Sequence, residues 1–265
     1  MNKTPSHAEI EVRHCRSLGE YEECVRLELN IWGEDIAVPA AIFVVAHHTG
    51  GQILGAFLGS RLVGFTMALA GFRPGQQFLH SHMTAVLPEF QNTGVGRRLK
   101  LFQRDDALQR GIGLVEWTFD PLELKNAYFN LARLGAVARR YIPDCYGVTQ
   151  SPLHAGLPTD RLVAEWWLDS GRVKSILAGK APAATASAER ISLPSNITEI
   201  KAADHAAGVR VQREARDKFQ DYFSKGYVAT SIESRDATTD YILEPANAIA
   251  DLSLPVWPSD SRGTA

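Results

Sequence analysis

The chain has 265 residues, and 28 Lys and Arg against 30 Asp and Glu leave a formal net charge of −2. That balance argues against a protein that coats nucleic acid or an anionic membrane. With 45% hydrophobic and 22% charged residues, the composition is that of a globular chain with a core of its own, not of a disordered one. The longest apolar run, Ile36 to Ala46, contains Pro39 and is too short to cross a bilayer. The start, MNKTPSHAEI, has no apolar stretch after its charge, so no signal peptide is expected. Cys15, Cys24 and Cys145 lack metal-site spacing and, being odd in number, form no disulfide framework. Free thiols in a reducing cytoplasm, and no metal, are the expectation.

Periodicity gives the elements in chain order. Glu9 to Cys15 alternates polar and apolar residues and reads as a half-buried strand. Leu18 to Trp32 places Leu18, Tyr21, Val25, Leu29 and Trp32 three and four apart, which predicts a helix. His47-His48 reads as a solvated loop. Ile53 to Leu58 and Leu62 to Ala70 read as strands joined through Gly59-Ser60-Arg61, and Leu79 to Val86 as another. Gly94 to Gln109 carries Val95, Leu99 and Phe102 on one stripe and stops at Gly111, so a helix is expected. Leu114 to Phe119 reads as a strand, Leu122 to Leu134 as a helix stopping at Gly135, and Val163 to Leu168 as an aromatic-rich strand. Leu177 to Arg190, LAGKAPAATASAER, has a linker composition. Ala202 to Phe223 predicts a charged helix, followed by a hairpin of Tyr227 to Ile232 and Tyr241 to Leu243. The expected division is a body over 1–176, a linker over 177–190, a C-terminal extension over 191–250 and a frayed tail over 251–265. An extension of that size is marginal alone, so it is expected to pack on the body or on a second subunit. The plan is mixed α/β.

Ala85 to Lys100, AVLPEFQNTGVGRRLK, carries the most chemistry. A strand runs through Pro88 into a glycine loop and then an amphipathic helix. Gly94 and Gly96 let a ligand approach the backbone. The N–H groups of Asn92 to Arg97 would lie at a helix N-terminus, where the dipole favours an anion. Arg97 and Arg98 oppose that dipole unless an anion is bound. A pyrophosphate satisfies all of these features. Leu99 stands where a dinucleotide fingerprint needs its third glycine, and no Walker A loop is present.

Gln91-Asn92-Thr93-Gly94-Val95-Gly96, with Val86-x-Pro88 before it and Arg97-Arg98-Leu99 after it, resembles the acyl-CoA-binding motif of the GNAT superfamily of N-acyltransferases, [QR]-x-x-G-x-[GA]. The flanking strand–helix–strand–helix order matches, and Asn126-Ala127 with Leu134-Gly135-Ala136 resembles that family's following helix. The resemblance covers roughly residues 9–170, and HSHMTAVLPEF, WTFDPLELKNAYFN and LGAVARRY are similar to a branch with a C-terminal extension. It implies an α+β fold whose central sheet is mixed and mostly antiparallel, flanked by helices, with a small C-terminal α/β extension.

The resemblance also implies acetyl-CoA or another acyl-CoA as co-substrate. The backbone of Ala85 and Val86 would pair with pantetheine, and the Val86 N–H would meet the thioester carbonyl. Gln91, Asn92, Thr93, Gly94, Val95, Gly96 and Arg97 would hold the pyrophosphate, with Asn126 on the following helix. A primary amine of a small molecule or amino acid then attacks directly. His80 and His82 share one side of a strand and are the candidate bases, with His82 favoured as the nearer to the motif end of the strand, against a reading as hydrogen-bonded core residues. Glu116, an acid within an apolar strand, would bind or deprotonate the ammonium, or else form a salt bridge. The family's usual Tyr lies four residues before the helix-ending glycine, where this chain has Leu131. Tyr128 lies nearby as a substitute acid or a pocket residue, and otherwise the thiolate leaves unprotonated.

Asp120 reads as the cap of the helix that follows, and one of Trp166 and Trp167 as core. Arg133, Arg139 and Arg140 are candidates for a succinyl carboxylate if succinyl-CoA is the donor. The other readings are a non-catalytic CoA-binding module and a peptide acetyltransferase. No nucleic-acid or membrane partner is expected. The C-terminal part is expected to build a homodimer or to cover the acceptor cleft.

Overall fold

The computed structural model describes residues 10–33, 37–147, 156–180 and 182–249. The N-terminal residues 1–9, where no signal peptide is expected, and the tail over 251–265 lie outside the described residues. The strands are β1 Ile10–His14, β2 Gln52–Leu58, β3 Arg61–Arg73, β4 Gln76–Val86, β5 Leu114–Phe119, β6 Val137–Ile142, β7 Arg161–Trp167, β8 Glu189–Pro194, β9 Tyr227–Ser234 and β10 Thr238–Pro245. They form one sheet in the order β1-β2-β3-β4-β5-β7-β6-β9-β10-β8. Every pairing among the described residues is antiparallel except β4 with β5. The helices are α1 Leu18–Trp32, α2 Ala40–His48, α3 Val95–Gln109, α4 Leu124–Ala127, α5 Gly171–Leu177, α6 Ile197–Ala203 and α7 His205–Ser224.

Alternation along the strands sorts the core onto two faces. Ile53, Phe57, Phe65 and Met67 pack with Tyr21, Cys24 and Phe43 of α1 and α2. Leu54, Ala56 and Val63 pack with Val95 and Leu99 of α3. At the start of α1, Ser17 Oγ accepts the Glu20 N–H and Glu20 Oε2 accepts the Arg16 N–H, so two donors at this helix start are satisfied. The fold turns on its single parallel pair. β4 meets β5 at Leu79↔Val115 and His80↔Glu116 and nowhere else. Beyond those two positions the strands part and leave a fork.

Several expectations need correction. His47 and His48 close helix α2 and are not in a loop. The helix expected over Leu122 to Leu134 becomes the short α4 and a π-helical turn, Tyr128–Arg133, in which Leu134 N donates to Phe129 O. The helix expected over Ala202 to Phe223 is two helices. Asp204 between them is extended and caps α7 by accepting the Ala207 N–H at 3.0 Å. Strands β6 and β8 and helix α5 are additions. β6 has two arginines at its centre, and β8 begins inside the linker-like composition.

The C-terminal elements pack on the body, as expected. β9 continues the sheet from β6 at Ala138↔Ala229. Phe219 of α7 packs edge-on to Tyr241 with ring centroids 5.0 Å apart, and Tyr241 Oη donates to Pro121 O at 2.7 Å. Arg216 clasps both oxygens of Asp160, and Lys201 Nζ reaches Glu123 at 2.9 Å. Among the described residues no helix is long and apolar enough to cross a membrane.

Candidate active site

The fork opens between Ser81–Val86 of β4 and Trp117–Phe119 of β5, whose facing edges have no ladder partner. A strand edge of this kind accepts an extended ligand through main-chain hydrogen bonds. Ala85 and Val86 lie on the β4 side. Leu87 N donates to Val63 O, and the 3₁₀ turn Pro88–Phe90 then reverses the chain into the glycine loop. Gln91 Nε2 donates to Val86 O at 3.0 Å and Thr93 Oγ1 to Phe90 O at 2.5 Å, which fixes the loop on the strand end. Asn92 and Gly94 both have positive φ, at 58° and 89°. Gly94 is the N-cap of α3, so the Val95, Gly96 and Arg97 N–H groups lack helical acceptors and point out of the helix start.

Two buried donors without partners bear on whether CoA fits. Arg97 Nε stands at the N-terminus of α3, and Asn130 Nδ2 sits in the π turn. A pyrophosphate suits the first, and an amide carbonyl such as those of pantetheine suits the second. Asn126 is exposed on α4. The residues present therefore fit the co-substrate. No group of three or more His, Cys, Asp or Glu residues suited to a metal ion occurs among the described residues.

On the α1/α2 face of the fork stand the histidines. A register shift between Met67 and Ala68 makes His82 the extra, bulged residue of β4, since Met83 pairs with Met67 and Ser81 with Ala68. The His80 and His82 rings are 6.3 Å apart. His82 is exposed and His80 half-buried. Desolvation by the surrounding strands lowers His80 below the ordinary imidazole value, with His82 adding to the effect, and lowers the more exposed His82 in the same direction, so both favour the neutral form at pH 7.

Glu116 stands on that face, but its oxygens are taken. Arg73 binds both, at 2.7 and 2.5 Å, and Arg140 Nη2 binds Oε1 at 2.5 Å. The salt-bridge reading of Glu116 holds, with both carboxylate oxygens engaged by guanidinium groups. Glu165, its register partner on β7, is bound by Arg139 and Arg140. The shift in β6 between Ala138 and Tyr141 turns these consecutive arginines toward one carboxylate. Thr118 Oγ1 and Tyr146 Oη are 2.7 Å apart at the open end of this face.

On the α3/α4 face, Leu131 is buried in the core and Tyr128 is half exposed at the start of the π turn. Trp166 is fully buried, donating to Leu134 O at 2.7 Å, while Trp167 bonds Glu165. Asp120 Oδ1 accepts the Leu122 N–H, a turn contact made before the helix begins. Sequence reasoning missed Lys100 and Gln103. Both are buried on the stripe of α3 with Leu99 and Ala107, and two polar residues at that apolar spacing were the available signal.

A central sheet that is antiparallel but for one forked parallel pair, with a glycine loop at the strand end, decides the fold. The chain has the GNAT acetyltransferase fold. Among solved structures it is similar to the putative acetyltransferase yncA of Salmonella typhimurium, described with its cofactor acetyl-CoA, at 17% identity and a TM-score of 0.50 over 61% of this chain and 95% of that one. A putative acetyltransferase of the GNAT family from Desulfovibrio desulfuricans matches at 16% identity and a TM-score of 0.48, over 60% and 99%. The ribosomal-protein-S18-alanine N-acetyltransferase of Escherichia coli matches at 13% identity and 0.47, over 59% and 92%. No protein-family model matches the chain, and no curated protein matches it by sequence. The GNAT fold thus accounts for about three-fifths of the chain, and the C-terminal elements extend its sheet.

Proposed function

We propose that the chain is an acyl-CoA-dependent N-acyltransferase. It transfers an acetyl or other short acyl group to the primary amine of a small molecule or amino acid. One observation carries the reading: the strand leaving the fork leads through the Pro88–Phe90 turn into a glycine loop at the start of α3, with a neutral histidine pair beside the fork. When bound, acyl-CoA supplies the activated carbonyl. The loop from Gln91 to Arg97 binds its phosphates, and the edge of Ala85 and Val86 orients its pantetheine. His82, the more exposed imidazole, takes the proton of the attacking amine, with His80 behind it. The Val86 N–H meets the negative charge that develops on the carbonyl oxygen. The amine nitrogen bonds to the carbonyl carbon as the carbon–sulfur bond breaks.

Arg139 and Arg140 are engaged by Glu165 and Glu116, which favours an acetyl over a succinyl donor. The buried Leu131 favours a second reading, a module that binds CoA without turnover. The buried free thiols Cys15 and Cys24 support a reducing cytoplasm. A homodimer is a proposed assembly, because β1 and β8 end the sheet among the described residues. Light scattering reads the assembly directly.

The test is thiol release from acetyl-CoA and succinyl-CoA against free amino acids of both enantiomers, polyamines and a lysine peptide. Release with one amine class establishes the reaction and its acceptor. Binding of CoA without release for any pair selects the module. Failure to bind CoA overturns both.

A further inference from the structure

The floor of the fork holds a cation that the reaction above does not use. Lys100 Nζ donates to Ser81 Oγ at 2.7 Å and to Gln103 Oε1 at 3.0 Å, and lies 4.1 Å from the centroid of the Trp117 ring. Ser81 and Trp117 are the first residues of β4 and β5 past their last paired positions. The amine therefore sits where the two strands part, on the face covered by α3, and its residue is only 4% exposed.

The groups around it supply no counter-charge. From β4 come Ser81 and, pointing to the opposite face, His80, whose protonation Lys100 disfavours. From β5 comes Trp117, while Glu116 faces the other side and is held by Arg73 and Arg140. From α3 comes Gln103. Asp106, further along α3, is bound by His14, Gln52 and Arg110. No carboxylate touches Nζ among the described residues, and burial alone brings the amine down to about 7. An aliphatic side chain would fill this space without desolvating a charge. The proton donor implied for Leu131 is meanwhile missing.

We propose that Lys100 is the general acid of the transfer, giving its proton to the CoA sulfur as that sulfur leaves at the apex of the fork. The assignment rests on the acyltransferase reading. As the amine nitrogen bonds to the carbonyl carbon, the carbon–sulfur pair goes to sulfur. The Lys100 ammonium protonates that sulfur, and the histidine holds the proton lost by the amine. Thiol and amide leave, and both residues return to their starting states by exchange with solvent. An ammonium titrating near 7 is a stronger acid than an ordinary thiol at about 8.5, so the transfer runs downhill.

The test measures CoA binding by calorimetry and the pH–rate profile in the wild type, Lys100→Met and Ser81→Ala. Kinetics run alongside with acetyl-CoA and its selenium analogue, whose selenolate departs without a proton. Lys100→Met is expected to bind CoA as the wild type does, because the amine serves the leaving sulfur and not the phosphates. Its kcat is expected to fall roughly 100-fold with acetyl-CoA, with loss of the alkaline limb of the pH profile, and to recover with the selenoester. Ser81→Ala keeps the amine and shifts that limb without abolishing it. If Lys100→Met binds CoA, keeps the alkaline limb and gains nothing from the selenoester, the assignment is overturned while the acyltransferase stands. If the wild type binds no CoA, the parent reading falls and this one with it.

Discussion

The two faces of the fork bury polar groups in opposite ways. On the α1/α2 face, Glu116 and Glu165 are enclosed by Arg73, Arg139 and Arg140, so each buried carboxylate has guanidinium partners. On the α3 face, Lys100 is enclosed by a hydroxyl, an amide oxygen and an indole ring. The first arrangement matches charge with charge across β3, β5, β6 and β7 and sets how those strands meet. The second leaves a desolvated amine uncompensated, which packing does not require. A paired buried acid is thus a weak pointer to chemistry, and an unpaired buried base beside a strand fork is a stronger one.

The largest test of this contrast removes the C-terminal elements. Truncation after residue 178 strips β9 from β6, Phe219 from Tyr141, and Arg216 from the buried Asp160. Loss of cooperative unfolding is expected by calorimetry. A soluble fragment with unchanged kinetics and assembly would show that the extension is dispensable. Next comes Glu116→Ala, which removes the buried carboxylate that Arg73 and Arg140 share. A buried pair broken on one side is destabilised by about 3–5 kcal/mol. Urea denaturation should show that loss, and a change under about 1 kcal/mol would mean that the lattice is ornamental.

Most of the sheet was legible because its strands alternate or are continuously apolar. Arg139 and Arg140 hid β6, since a bulge and a buried carboxylate are what make two central arginines compatible with a strand. The break at Asp204 was hidden because the apolar period runs on across it, and only the cap geometry ends one helix and starts the next. Glycine spacing made the phosphate loop readable. The partners of Glu116 were not readable, because Arg73 and Arg140 are 43 and 24 residues away in sequence. Lys100 was visible only as a polar residue at a core spacing, and its position at the apex needs the β4–β5 register.

Two kinetic variants sharpen the contrast between the faces. His82→Ala removes the exposed base and should lower kcat roughly 100-fold. In the wild type the acid limb should lie below the ordinary imidazole value, since burial lowers both histidines and activity is lost as pH falls and protonates them. An unchanged turnover in His82→Ala would move the base to His80 or to solvent. Arg97→Ala should raise the KM for acyl-CoA about tenfold at constant kcat, because a phosphate contact binds ground and transition states alike. A fall in kcat with KM constant would remove Arg97 from the phosphate site.

The smallest expected effect separates function from packing most cleanly. Lys100→Met replaces the buried amine with a side chain of similar length and no charge to desolvate. The folded-state value of Lys100 is lowered from 10.5 to about 7. Between those limits the unfolded chain binds more protons than the folded one, so wild-type stability rises with pH across that interval. The variant lacks this dependence. It should therefore melt above the wild type by a few degrees at pH 7, and the gap should narrow steadily as pH rises toward 10.5. A residue placed for packing alone would lower the melting temperature when replaced. A residue kept for proton transfer does the reverse, and the same substitution that slows turnover makes the fold more stable.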